Sequence, residues 1–132
     1  MVIVLAALGV FAWWYNRPST PPTPEEAARV AAAAEHDRIR QAGYVLKGYA
    51  KDAFRDPDSV QFAHLEVSKD GLLLCGDANA KNGFGGFSGM HRFAYSRGAG
   101  LINDESADLP GLVDKVCSTP KYRPFTHIGI DW

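Results

Sequence analysis

Val60-Gln61-Phe62-Ala63-His64-Leu65-Glu66-Val67-Ser68-Lys69-Asp70-Gly71-Leu72-Leu73-Leu74-Cys75-Gly76 reads as a β-hairpin, and the rest of the chain arranges itself around it. From Val60 to Lys69 apolar and polar residues alternate, the period of a half-buried strand. That alternation puts Ala63, Leu65 and Val67 on one face and His64, Glu66 and Ser68 on the other. Asp70-Gly71 supplies the positive φ of a tight two-residue reversal. The return strand is expected from Leu72 to about Ala80, with Cys75 on the same face as Leu73.

Downstream, Asn82–Gly89 (NGFGGFSG) is a glycine-rich turn. His91 to Tyr95 follows as a third strand, with Phe93 and Tyr95 on one face and Arg92 on the other. Ser96 to Asp104 is expected to be a loop. Leu109, Leu112, Val113, Val116 and Cys117 recur at helical spacing and predict a short final helix with Pro110 in its first turn. In the tail, Thr126 to Ile130 alternates, so it either adds a strand or stays loose.

Upstream, Thr23-Pro24-Glu25-Glu26 combines a capping threonine, a first-turn proline and a capping-box glutamate. Ala27 to Ala42 is then helical, and Gly43 suits a stop or a break. Tyr44 to Arg55 continues as a second stretch, or as the far half of one kinked helix. Its apolar stripe is Val45, Leu46, Tyr49, Ala50 and Ala53. Asp56-Pro57-Asp58-Ser59 ends it, because proline disfavours helical backbone in the residue before it. The expected fold is α+β. N-terminal and C-terminal helices pack on a three- to four-stranded antiparallel sheet in a single domain over residues 25–132.

Val2 to Tyr15 (VIVLAALGVFAWWY) carries no charge. It is shorter than the roughly 20 residues that cross about 30 Å of hydrocarbon. Trp13, Trp14 and Tyr15 nevertheless suit a membrane interface. Residues 1–17 are therefore expected to be a membrane anchor or uncleaved signal segment, with residues 2–15 as the membrane contact. Residues 18–24 form a proline-rich spacer. Arg17 follows the run and none of its kind precedes it, which by the positive-inside rule would face the domain to the cytoplasm.

Composition narrows function mainly by exclusion. The 132-residue chain has a formal net charge of -1 and no block of Lys or Arg, so nucleic acid is not an expected partner. Its two cysteines, Cys75 and Cys117, lack the spacing of zinc or thioredoxin-like motifs. Outside the cytoplasm such a pair forms one structural disulfide; in the cytosol it would be two buried thiols. A bridge between them closes a long loop and would stabilise by roughly 3–4 kcal/mol.

The glycine-rich segment fails as a phosphate loop, since Ser88 stands where the third glycine belongs and no GK[ST] follows. Asp77, Asn79 and Asn82 miss the calcium-loop pattern at Lys81 and at the glycine position. Asn79 and Asn82 are expected instead to bond nearby backbone and shape the turn. His36, His64, His91 and His127 are scattered, and no metal site is expected. Asp56 and Asp58 belong to the helix terminator. No serine sits in a GxSxG elbow. Cys75 with His64 or His91 is the strongest enzyme arrangement, and it requires an exposed low-pKa thiol from an apolar run. No catalytic residue and no cofactor are therefore expected. The Phe84-Gly85-Gly86-Phe87 hairpin is the candidate partner-binding surface.

Residues 45 to 95 resemble a small domain that recurs in bacterial and phage-borne envelope proteins. The resemblance lies in Asp56-Pro57-Asp58-Ser59, Phe62, Cys75-Gly76, Asn79-Ala80-Lys81-Asn82, Gly85-Gly86-Phe87 and Arg92-Phe93. In similar chains a second cysteine closes the final helix, as Cys117 would here. The resemblance implies an α+β fold in an extracytoplasmic setting, hence a single-pass inner-membrane protein with a periplasmic domain. It implies no substrate. The leading expectation is a non-catalytic, membrane-tethered interaction or structural module. The alternatives are a small Cys75-dependent enzyme or redox protein and a subunit of a larger envelope or phage-encoded assembly.

Overall fold

A computed structural model describes residues 15, 21–103 and 110–129. The expected anchor over residues 2–15 lies outside the described residues apart from Tyr15. Among the described residues no helix is long and apolar enough to cross a membrane. The chain divides into two compact units, residues 1–32 and 33–132.

The first helix, α1 (Pro24–Ala53), opens on the expected capping box. Glu26 N donates to Thr23 Oγ1 at 3.2 Å, and Thr23 N donates to Glu26 Oε2 at 2.8 Å. The backbone bond from Thr23, and then its side-chain bond, hold the Glu26 carboxyl below the usual glutamate range. A lowered folded-state pKa means that the capped start is favoured while Glu26 is ionised. That contribution is lost as pH falls through the lowered value. Acidification is therefore expected to fray residues 23–27 before the sheet unfolds. Amide exchange at Ala27, whose N–H donates to Thr23 O, checks this.

Gly43 neither stops nor breaks the helix, which runs on without interruption to Ala53. A Cβ at Gly43 would lie 3.0 Å from Ile128 Cδ1 and 3.2 Å from Val67 Cβ. The glycine is a notch that lets the helix settle on the sheet, and it is buried. The buried stripe is accordingly Ile39, Gly43, Leu46 and Ala50. Val45 and Tyr49 of the expected stripe face solvent instead.

The sheet has five antiparallel strands rather than three or four, in the order β4-β3-β2-β1-β5. They are β1 (Gln61–Ser68), β2 (Leu73–Asn79), β3 (His91–Ser96), β4 (Gly100–Asn103) and β5 (Phe125–His127). The two extra strands come from the segment read as a loop and from the tail. Ala94 pairs with Ile102 on β4, and Val67 pairs with Thr126 on β5. The second helix, α2, is Leu112–Ser118. Pro110 falls outside it, because Gly111 takes a left-handed conformation at the helix start.

Alternation along β2 and β3 separates two cores, one on each face of the sheet. Leu46, Ala50, Phe62, Leu65, Val67, Leu74, Ala78, Phe93 and Ile128 form the core beneath α1. Leu73, Cys75, Ala94, Val113 and Cys117 form the other, beneath α2. Cys75 and Cys117 are joined in a disulfide with their Cα atoms 6.2 Å apart. The bridge staples the middle of the sheet to α2.

One local departure reorganises β1. Ala63 pairs with Asp77 and Glu66 with Cys75, so His64 and Leu65 together oppose Gly76. This bulge moves Ala63 off the face of Leu65. It requires Gly76, where a Cβ would lie 2.6 Å from Leu65 Cδ2 and 3.1 Å from the Ala63 carbonyl oxygen. It also holds His64 at φ 50°, the left-handed region. Ser68, expected on the polar face, is fully buried. Its hydroxyl donates to Asp70 and accepts from Leu73 N at 3.0 Å, closing the hairpin loop.

Candidate functional site

The loop between β2 and β3 is built by its polar residues and presents its apolar ones. Asn82 Oδ1 accepts from Phe84 N at 3.0 Å and from Gly86 N at 3.2 Å. The Asn82 backbone exchanges bonds with the same turn, from Gly85 N and to Gly86 O. Asn79 Oδ1 accepts from Gly89 N at 3.0 Å, and its amide donates to Gln61. Gly85 and Gly89 take positive φ, as a reversal this tight requires. The two asparagines thus have the expected scaffolding role.

The Asp56-Pro57-Asp58-Ser59 turn is part of the same construction. Its backbone forms a 3-10 turn over Pro57–Ser59. Ser59 Oγ accepts from Lys81 N at 3.0 Å, tying the helix terminator to the loop base. The remaining hydroxyl, that of Ser88, donates to Ala80 O at 3.3 Å.

Held by that scaffold, Phe84 is 100% exposed, Phe87 50% and Met90 48%. The loop carries its own fixed backbone bonds, so a partner meeting these side chains has less ordering entropy to overcome. Cations flank it. Lys81 Nζ lies 5.7 Å from the centroid of the Phe87 ring. Arg55 rests on Gly83, with Nη1 2.7 Å from where a Cβ would sit. Behind the loop is a recess of about 520 Å³, with Phe54 and Phe93 in its lining.

The other residues singled out from sequence are not brought together with this loop as a reaction centre. Cys75 is bridged and 2% exposed, so thiolate chemistry there requires the bridge to be reduced. His64 and His91 lie on strands separated by β2. His64 Nδ1 sits 2.9 Å from Asp77 Oδ2 across the bulge. His91 Nε2 lies 3.0 Å from Ser88 O, and His127 Nδ1 lies 3.0 Å from Leu65 O. Among the described residues no group of three or more His, Cys, Asp or Glu side chains is placed to hold a metal ion.

Sequence reasoning missed the His64–Asp77 pair, because the bulge that creates it breaks the alternation by which strands are read. The signal was Gly76, a glycine inside a strand, which often marks a bulge or a close backbone approach. Comparison with family profiles, with curated proteins and with solved structures gave no match.

Proposed function

We propose that this chain is a non-catalytic interaction module of the bacterial envelope. Residues 2–15 tether it to the inner membrane, and the Phe84–Phe87 loop is its contact surface. The observation that carries this reading is the full exposure of Phe84 on a loop fixed from within by Asn79, Asn82 and Ser59. An aromatic held in water by a built scaffold contributes little to folding, and aromatic anchors dominate contact energetics in interfaces. The Cys75–Cys117 bridge supports a periplasmic location, because disulfides persist in oxidising compartments. The apolar Val2–Tyr15 segment with its terminal aromatics supports the tether.

The test is co-purification from the membrane fraction of the native host, using the full chain. A partner is expected at stoichiometric yield with the native sequence. Phe84→Ala is expected to weaken its retention by about 30-fold, the effect of a strong interface anchor of about 2 kcal/mol. Equal retention by both proteins, with the variant folded, would remove the loop as the contact surface. Fast labelling of Cys75 in the protein as isolated would instead return the thiol-enzyme reading.

A further inference from the structure

The two faces of the sheet are closed by unequal means. Among the described residues the core beneath α1 has ten buried members and no cysteine. The core beneath α2 has five, and two of them are Cys75 and Cys117. Val113 and Cys117 are the buried residues of α2, so half of its buried purchase is the bridged cysteine. The helix starts at Gly111 without a side-chain cap. The backbone bonds at its ends stay within its own segment, from Lys115 N to Gly111 O and from Thr119 N to Val116 O. Asp114 reaches Arg92 on β3 at 3.4 Å, but both side chains are more than half exposed. A pair that exposed holds a helix weakly. On either side of α2 the chain is tied to the sheet by other means. Asn103 pairs with Phe93, and Tyr122 O accepts from Lys69 N at 3.3 Å just before β5 joins β1. The segment carrying α2 is thus a short span between two anchored points, fastened midway by the bridge.

We propose that the bridge is a redox latch: its reduction by a dithiol releases α2 from the sheet, while α1, the strands and the core between them stay folded. The latch is independent of the role of the Phe84–Phe87 loop. Its two sulfurs are not equally open to attack. Cys75 is 2% exposed, whereas Cys117 is 9% exposed and lines a recess of about 850 Å³ beside Arg123 and Phe125. A thiolate of the dithiol attacks the Cys117 sulfur. The Cys75–Cys117 bond breaks, and Cys75 leaves as a thiolate that takes a proton from water. The second thiol of the reagent then displaces Cys117, which is protonated in turn. The dithiol ends as a disulfide, and its two electrons rest on the two cysteine thiols. With the sheet intact to Asn103, the bridge closes a segment of about fifteen residues, so cutting it favours the open form about a hundredfold. Lifting α2 uncovers Leu73 and Ala94, an apolar face that the oxidised protein keeps buried.

The test is amide exchange of the full chain, without denaturant, before and after treatment with dithiothreitol. Alkylation of both cysteines confirms that the bridge has been cut. Amides of residues 113–118 are expected to exchange about a hundredfold faster after reduction, while those of α1 and of β1 to β3 keep their protection. Reoxidation should restore the slow exchange. The double variant Cys75→Ala, Cys117→Ala should show the same pattern with no reductant present. Unchanged protection of residues 113–118, with the bridge cut or replaced, overturns the proposal. So does loss of protection through α1 and the sheet together with α2 in either protein, because the bridge would then hold the whole fold rather than one helix. The point of entry is read with glutathione, a monothiol, by mapping which cysteine carries the first mixed disulfide. Cys117 is expected; predominant modification of Cys75, or a bridge that resists dithiothreitol until denaturant is added, overturns the latch.

Discussion

Removing the Cys75–Cys117 bridge, by reductant or by changing both residues to serine, is expected to cost about 4 kcal/mol of folding stability. The bridged residues are separated by 42 positions, and the figure follows from the loop entropy that such a cross-link removes from the unfolded chain. Domains of this size have about 5–15 kcal/mol in total, so the loss would be a large part of what holds the fold. The location of the bridge adds to the effect. Cys75 and Cys117 are two of the five buried residues in the core beneath α2, and α2 is only seven residues long. A helix that short has little stability of its own and depends on its packing. Denaturant unfolding with and without reductant measures the difference. A loss below about 1 kcal/mol would mean that the reduced chain already holds α2 through Val113 and its neighbours.

Phe93→Ala is expected to cost about 3–5 kcal/mol, the range for emptying a buried phenylalanine site. Phe93 is 1% exposed, with ring centroids of Phe62 and Phe54 at 5.4 and 5.9 Å. Deleting it leaves a cavity walled by two rings that are themselves held by the sheet and by the end of α1. The identical substitution at Phe84, which is fully exposed, is expected to change stability by less than about 0.5 kcal/mol. The same side chain, removed nine positions apart, thus separates a residue that holds the fold from one that the fold does not need. Paired urea titrations give the comparison. A Phe84→Ala loss near that of Phe93→Ala would show that the loop packs against the domain in solution.

The α+β class, the hairpin, the capping box and the inward-facing cysteines were legible because each rests on a local rule of period or turn chemistry. Asn82 was legible for the same reason, since its side-chain bonds reach only Phe84 and Gly86; Asn79 shapes the turn through the more distant Gly89 and Gln61. Gly43 was misread because glycine's usual meaning in a helix is conformational, whereas here it is steric and depends on Ile128, far away in sequence. β5 was legible only as one of two alternatives for the alternating tail, and β4 was hidden, because short edge strands are defined by their partners; nothing in Gly100–Asn103 alone specifies pairing with Phe93–Ser96. The loop's aromatics could be picked out from sequence. The recess behind it could not, because its lining residues Phe54, Lys81 and Phe93 are gathered by the fold from beyond the end of α1, a loop and a strand.

The pairing of β5 with β1 has a consequence for how the molecule is made. Phe125–His127 zips onto Glu66–Ser68, and Ile128 drops into the notch at Gly43. The core beneath α1 therefore closes with material synthesised some sixty residues after the strand it completes. Until residues 125–128 are in place, the flank of β1 that they cover is an unpaired strand edge, open to a strand from a chaperone or a neighbouring unfinished copy.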